Sequence, residues 1–361
     1  CGRLMSTLNT NYLVPTGREE AWRFTPVKKL SGLIGAEARL TEAETFTLLT
    51  KNSGVSIKSG LITPASETTD DASKKLRLEV KSGQILEISK NYEGEVIRLA
   101  RTLPSAGEIG SRLQVIVGEN AHAKLILDNT GDTKIIDEIE FILHQGSNLD
   151  FISLQEWGSG SIQLGHQHAI LAKDSTFNSI VITLGGEVVR LLPTVEFTGP
   201  GSFANLSGLY FATNGQHHEH RLHVDHLVPN AKSRVNYKGV LAGDSARTVW
   251  FGDVFIRAAA EGTDTYELNR NLLLTDGARA DSVPNLEIET GEIVGAGHAS
   301  TTGRFDDEQL FYLMSRGINI DDARRLVVRG FFNEIVGQIK NEEIEERLMS
   351  HIDSELAKVG K

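Results

Sequence analysis

From about Lys75 to Gly303, apolar and polar residues alternate in short runs punctuated by Gly, Asn and Asp, the period-two pattern of β-strands. "LRLEVKSGQILEISK" alternates around Ser82-Gly83 and "LQVIVGENAHAKLILDNTG" around Gly118-Glu119-Asn120, each reading as a hairpin-like strand pair. A longer period then appears. "DSTFNSIVITLGG" (174–186), "GSFANLSGLYFATN" (201–214) and "KSRVNYKGVLAGD" (232–244) each carry a serine, an asparagine three residues later, an apolar run and a closing Gly, Asn or Asp. The serines are Ser175, Ser202 and Ser233 and the asparagines Asn178, Asn205 and Asn236, so the copies stand 27 and 31 residues apart. A degenerate copy follows at 262–277 and a shorter one at 278–291. Units of strand, turn and strand repeating at about 30 residues are the signature of a β-solenoid, whose coils bury their apolar faces only against their neighbours. An antiparallel sandwich with accidental spacing is the alternative; the threefold recurrence of one serine–asparagine pair favours the solenoid.

Both ends of the chain change period. "GREEAWRFTPVKKLSGLIG" (17–35) has acidic residues early, Lys28 and Lys29 late, and Pro26 as a break between short helices, with Trp22 and Phe24 read as packing residues. After Gly303, Asp306 with Gln309 forms a capping box before "EQLFYLMSRG", which stops at Gly317. "DDARRLVVRGFFNEIVGQI" follows, with Leu326, Val327, Phe331, Ile335 and Ile339 at helical spacing, and a third helix carries Ile344, Leu348, Ile352 and Leu356 on one stripe. Leu326, Phe331, Phe332 and Ile335 exceed what three short helices can bury among themselves, so they are expected to face a partner. The expected fold is mainly β: a right-handed β-helix (β-solenoid) core at 73–302, an N-terminal, largely helical α/β region at 1–72 and a C-terminal helical domain at 303–361.

Composition narrows the function classes. The 361 residues carry 37 basic and 48 acidic side chains, a net charge of −11 spread along the chain, so no basic face offers itself to nucleic acid. No run of about 18 apolar residues exists to span a membrane. The opening "CGRLMSTLNTNYLVPTG" lacks the apolar centre of a signal peptide, and Met5 reads as a candidate start. Cys1 is the single cysteine, which excludes an intrachain disulfide and a thiolate-rich metal site and fits a cytoplasmic address. The 35 glycines and 6% aromatics suit a narrow solenoid with tight corners.

The stretch "NGQHHEHRLHVDH" (214–226) raises a chemical question, because five of the 11 histidines fall between His217 and His226. On a strand, His218, His220, Leu222, Val224 and His226 share one face, while His217, Glu219, Arg221, His223 and Asp225 share the other. A pair of histidines two apart is half a metal site, and His166, His168 and Glu196 are the available third ligands. A metal-dependent β-fold oxidoreductase is therefore one alternative function, and a β-helical carbohydrate-active enzyme with a carboxylate pair is another. The favoured reading is a solvated solenoid face whose histidines pair with Glu219 and Asp225. No G-x-S-x-G elbow or phosphate-binding loop is present.

"NRNLLL" (269–274), "ADSVPNLEI" (280–288) and "GHASTTGRFDDEQLFYLMSRGI" (297–318), in that order, resemble the SufB/SufD family of iron–sulfur assembly proteins, and the likeness is strong over 237–331. "GREEAWRFTPVKKL" is similar to the start of the SufD branch. The SufB branch places a cysteine in the segment matching "LLTDGARAD" and a glutamate after the histidine matching His298; this chain has no cysteine there and has Ala299. Some SufD proteins carry a cysteine two residues before that histidine, where this chain has Ala296. The resemblance implies a helical N-terminal region, a β-helix and C-terminal helices. It also implies a non-enzymatic scaffold subunit of a cytosolic complex, paired with a SufB-like paralogue as a heterodimer. A SufC-like ABC ATPase would dock on the C-terminal helices, through Leu326, Phe331, Phe332 and Ile335. His298 is the implied cofactor- and metal-facing residue, with an iron–sulfur cluster held transiently at the complex interface and none bound by the isolated chain. A homodimer of the isolated chain is the remaining expected assembly.

Overall fold

A computed structural model describes residues 12–103, 107–305 and 307–359. Two long sheets wind into a β-solenoid of about seven turns. The first sheet has ten strands and orders Arg279–Ile288, Arg247–Ile256, His217–His226, Val188–Phe197, Ile162–Leu171, Lys134–Leu143, Glu108–Val117, Ser82–Ile88 and Val55–Leu61, with Thr41–Glu42 paired beside Glu108–Val117. The second orders Gly295–Arg304, Asp264–Leu273, Lys232–Leu241, Phe203–Ala212, Thr176–Thr183, Asn148–Trp157, His122–Gly131, Ile97–Leu103 and Phe46–Leu48. Successive strands alternate between the sheets and pair in parallel with the coils before and after, except at the N-terminal end, where Val55–Leu61 and Phe46–Leu48 pair antiparallel.

The repeat is set at one corner. Asn91, Asn120, Gly146, Asp174, Gly201, Asn230 and Gly262 occupy equivalent corners of successive coils, all with φ between 53° and 77°. Only Gly, Asn and Asp adopt that left-handed conformation at low strain, which is why these three types punctuate the sequence. The amide of Asn120 donates to the Gln145 carbonyl, that of Gly146 to Lys173 and that of Asp174 to Pro200, so each corner is bonded to the next. Ser147, Ser175 and Ser202 follow the corner residue and donate their hydroxyls to the carbonyl three positions earlier, each at 2.6 Å.

That geometry corrects the sequence repeat. Asn178 and Asn205 are register partners, but Asn205 pairs with Arg234, and Asn236 pairs with Ser207. The corner position after Ser202 is Ala231, so Ser233–Asn236 lies two residues out of phase. The expected hairpins are also absent. Lys75 to Glu79 belongs to helix α2 (Asp71–Glu79), after the single turn α1 (Ser31–Ile34), because Asp70 caps α2 by accepting from the Ser73 amide at 2.8 Å. Strand Ser82–Ile88 pairs instead with Val55–Leu61. Glu108–Val117 and His122–Gly131 meet at a corner and enter opposite sheets. The N-terminal stretch thus combines helical turns with short strands, and the boundary expected at 72–73 falls inside α2.

Helices cover both outer faces. Trp22, Leu30, Leu33, Ala72 and Leu76 pack on Ile136, Ile162, Leu164 and Val188 of the first sheet. On the second sheet lie α4 (Ile320–Ile339) and α5 (Glu342–Val359), preceded by α3 (Asp307–Ser315). Val328, Phe332, Ile335, Val336 and Ile339 of α4, with Ile344, Leu348 and Ile352 of α5, are buried against Ile180, Leu209 and Val240. This overturns the expectation that Phe332 and Ile335 face a partner: both are 0% exposed, because the sheet's outer face supplies the apolar surface that three helices alone lack. Phe331 is half-buried, with the Lys238 ammonium over its ring, and Leu326 stays 50% exposed. The exposed apolar residues here are Phe311, Tyr312 and Met314 of α3 with Ile320 and Leu326 of α4. Asp306, the first half of the expected capping box, lies outside the described residues, as do Cys1 and Met5.

Candidate functional site at the open end of the solenoid

The histidine strand His217–His226 runs in the middle of the first sheet, and neither of its faces is solvated as expected over 217–222. His218, His220 and His226 point into the solenoid and are fully buried. Each ring commits Nε2: His218 to the Gly185 carbonyl at 3.1 Å, His220 to Thr183 at 3.0 Å and His226 to Ser233 at 3.0 Å. His220 stacks on Tyr210 at 5.0 Å, where Gly208 and Gly239 make room for Tyr237 and Tyr210; a Cβ on either glycine would collide with those rings. Burial pushes His218 and His220 down to about 3 and His226 to about 4, so these rings are neutral packing groups.

The opposite face is covered by the N-terminal segment. Glu219, fully buried, accepts from Thr25 at 2.8 Å and touches His217, Arg190 and Arg221. Burial alone would raise its carboxyl, but the His217 hydrogen bond and the arginine charges outweigh burial and hold it at about 2. Arg190 also reaches Asp70 at 3.1 Å and lies 4.1 Å from the Trp22 ring, fastening the segment to the sheet. The proposed third ligands sit beside a cavity of about 350 Å³ between this segment and the sheet. Thr194 bonds both His166 Nε2 (2.9 Å) and His168 Nδ1 (2.6 Å), while Glu196 lies 3.9 Å from His168. They are on the outer face, the 218/220 pair on the inner one, so the fold does not bring the two halves together. Among the described residues no three His, Cys, Asp or Glu side chains are placed to hold a metal ion.

The last coil is different. Arg279–Ile288 and Gly295–Arg304 are the edge strands of the two sheets, and among the described residues no further coil lies above their inward side chains. His298 pairs in register with Glu267 one coil below, and so faces inward, yet its side chain is 44% exposed. A polar network leads to this end: Tyr210 donates to Asn271 at 2.7 Å, Asn271 to Asn269 at 2.8 Å, Ser282 to Asn269 at 2.8 Å and Ser300 to Ser282 at 2.7 Å. Glu267 stands beside it, 1% exposed, its Oε1 3.7 Å from His298 Nδ1, with neither carboxyl oxygen hydrogen-bonded within the described residues. Burial, and secondarily the charge of Asp253, raise this carboxyl to about 8. Sequence reasoning passed over Glu267, although the alternation in "DTYELNRN" places it with Asn269 and Asn271 on one face, 31 residues before His298.

The model of the SUF system FeS cluster assembly, SufBD core domain, matches residues 103–331, which take in most of the solenoid, its open end, α3 and the first part of α4. The chain belongs to the SufB/SufD family. It is 45% identical to the iron-sulfur cluster assembly SufBD family protein Rv1462 of Mycobacterium tuberculosis, over 98% of this chain and 93% of that protein. The family protein ML0594 of Mycobacterium leprae is 44% identical, over 98% of this chain and 94% of its own length. The iron-sulfur cluster assembly protein SufD of Escherichia coli is 27% identical, over 81% of this chain and 67% of its own length. At the open end, buried polar side chains reach the surface. Among the described residues no helix is long and apolar enough to cross a membrane.

Proposed function

We propose that this chain is a SufD-type scaffold subunit of a cytoplasmic Suf machine, without catalytic activity of its own. In this reading it pairs with a SufB-like paralogue through the last coil and presents His298 to the iron–sulfur cluster being built at the shared interface. The observation that carries the reading is the inward-facing but uncovered His298, flanked by Gly297 and Ala299 on an unpaired strand edge. A free strand edge is a pairing surface, and small residues beside the imidazole allow another backbone to approach. With one cysteine in the sequence, the chain supplies no thiolate set, so a cluster needs ligands from the partner.

In this reading the docking place for a SufC-like ATPase shifts from the α4 stripe to Phe311, Tyr312, Met314, Ile320 and Leu326, each of them exposed, on α3 and the first turns of α4. The test is co-expression with the neighbouring reading frames. The paralogue and an ABC-type ATPase should co-purify, and His298→Ala should preserve that complex and its thermal midpoint while cluster formation falls sharply. Normal cluster formation in His298→Ala would refute the assignment. A chain that co-purifies alone as a homodimer would refute the heterodimer.

A further inference from the structure

The column of register partners ending at His298 changes character in its last two members. Leu125, Phe151, Ser179, Leu206 and Val235 occupy it in successive coils, all small or apolar, and then come Glu267 and His298. A carboxyl at a core position is unfavourable unless something satisfies it, and neither Glu267 oxygen has a hydrogen-bond partner within the described residues. The nearest imidazole is that of His298, with Nδ1 at 3.7 Å and at the rim of the same end. Such contacts often stand long until a ligand is bound. A metal-facing histidine ordinarily donates its second N–H to a carboxylate, which fixes the tautomer and the ring orientation.

We propose that Glu267 is the positioning residue for His298: in its carboxylate form it accepts the Nδ1–H of the ring, leaving Nε2 bare and directed out of the solenoid end towards iron. The proton that this carboxyl carries in the isolated chain is released to solvent when iron binds. The inference rests on the reading of His298 as the iron-facing residue. Glu267 touches no iron itself; it acts through the ring.

The first measurement needs no metal. The full chain, labelled with 15N-histidine, is examined at pH 9, above the value of about 8 to which burial raises the Glu267 carboxyl, and the His298 signals are identified by their loss in His298→Ala. The wild type should show the Nδ1–H tautomer. In Glu267→Leu, which places in the column the residue type found at 206, and in Glu267→Met, of similar length, the ring should revert to the Nε2–H form. On the co-purified complex, both variants should reduce cluster formation by about 10–100-fold, the range for loss of an orienting partner, without loss of the partner chains. An Nδ1–H signal that persists in both variants overturns the proposal, as does unchanged cluster formation in both. If His298→Ala alone leaves cluster formation intact, the functional reading fails, while the tautomer result still decides whether Glu267 orients the ring.

Discussion

Replacing His220 with phenylalanine should change the pH dependence of stability more than stability itself. The ring is fully buried, stacked on Tyr210, bonded through Nε2 to Thr183 and, among the described residues, without a hydrogen-bond partner at Nδ1. Burial depresses it to about 3, against an ordinary value of 6.5 that it regains on unfolding. Above pH 6.5 the ring is neutral in both states and contributes no pH dependence. As pH falls below 6.5 the unfolded chain takes up a proton that the folded chain refuses, so stability falls by about 1.4 kcal/mol per pH unit for this one group, down to the folded value. At pH 5 the loss is about 2 kcal/mol. His220→Phe keeps the stacking area and removes this loss, at the expense of leaving the Thr183 hydroxyl unpaired, which costs about 1–3 kcal/mol at every pH. The variant should therefore be less stable than the wild type at pH 7.5 and close the gap, or reverse it, at pH 5. The assay is urea denaturation at half-unit steps from pH 5 to 7.5, compared at matched m-values. A stability difference that does not change with pH would refute the reasoning, since it would mean that His220 is protonated as readily in the fold as in the open chain.

Further outcomes follow from other parts of the molecule. Arg190→Met leaves Glu219 and Asp70 buried without their shared cation and should destabilise by about 3–5 kcal/mol, with proteolysis appearing first in the N-terminal segment; a protease-resistant N-terminus would speak against that fastening. Phe332→Ala should lower stability by about 3–5 kcal/mol through a cavity between α4 and the second sheet. Phe311→Ser, at a residue 74% exposed, should leave the thermal midpoint unchanged and weaken ATPase capture, and the reverse pattern for these two residues would return the dock to the α4 stripe. Anaerobic reconstitution of the isolated chain with iron and sulfide should leave no charge-transfer absorbance after desalting, because the sequence holds one cysteine; a brown protein that survives Cys1→Ser would contradict this.

The solenoid was legible because its corners leave a chemical trace. A left-handed corner admits Gly, Asn or Asp, so the period shows as punctuation even where strand sequences differ. The phase of the repeat was less legible: Ser233 lies two residues beyond the corner residue's follower, Ala231, and only backbone pairing reveals the slip. Strand alternation assigned the faces of 217–226 correctly but not what covers them. Sequence gives side-chain direction, while burial of Glu219 depends on Thr25, 194 residues away. The same limit applies to Phe332 and Ile335, whose apolar stripe was visible but whose partner, the second sheet's outer face, was not. Glu267 was overlooked because an isolated glutamate in a strand ordinarily reads as solvated, and its inward direction depends on register with His298.

The composition of the interior sets the last coil apart from the early ones. Early turns fill the solenoid with Leu113, Val115, Ile139 and Phe141, which would be unfavourable if exposed. The closing strand of the second sheet instead turns Ala296, His298, Ser300 and Thr302 towards the axis, over Thr265, Glu267, Asn269 and Asn271. Small and hydrogen-bonding side chains can face water while the chain is alone and can be buried by a partner that supplies matching groups, which a purely apolar end could do only at the risk of indiscriminate association. Adding one apolar group should therefore separate the two requirements. Ser300→Leu, at an exposed position whose hydroxyl donates to Ser282, should keep the fold and increase self-association of the isolated chain, while weakening the complex with the paralogue. If that variant still forms the paralogue complex at full affinity and stays as dispersed as the wild type, the polar end has no part in choosing the partner.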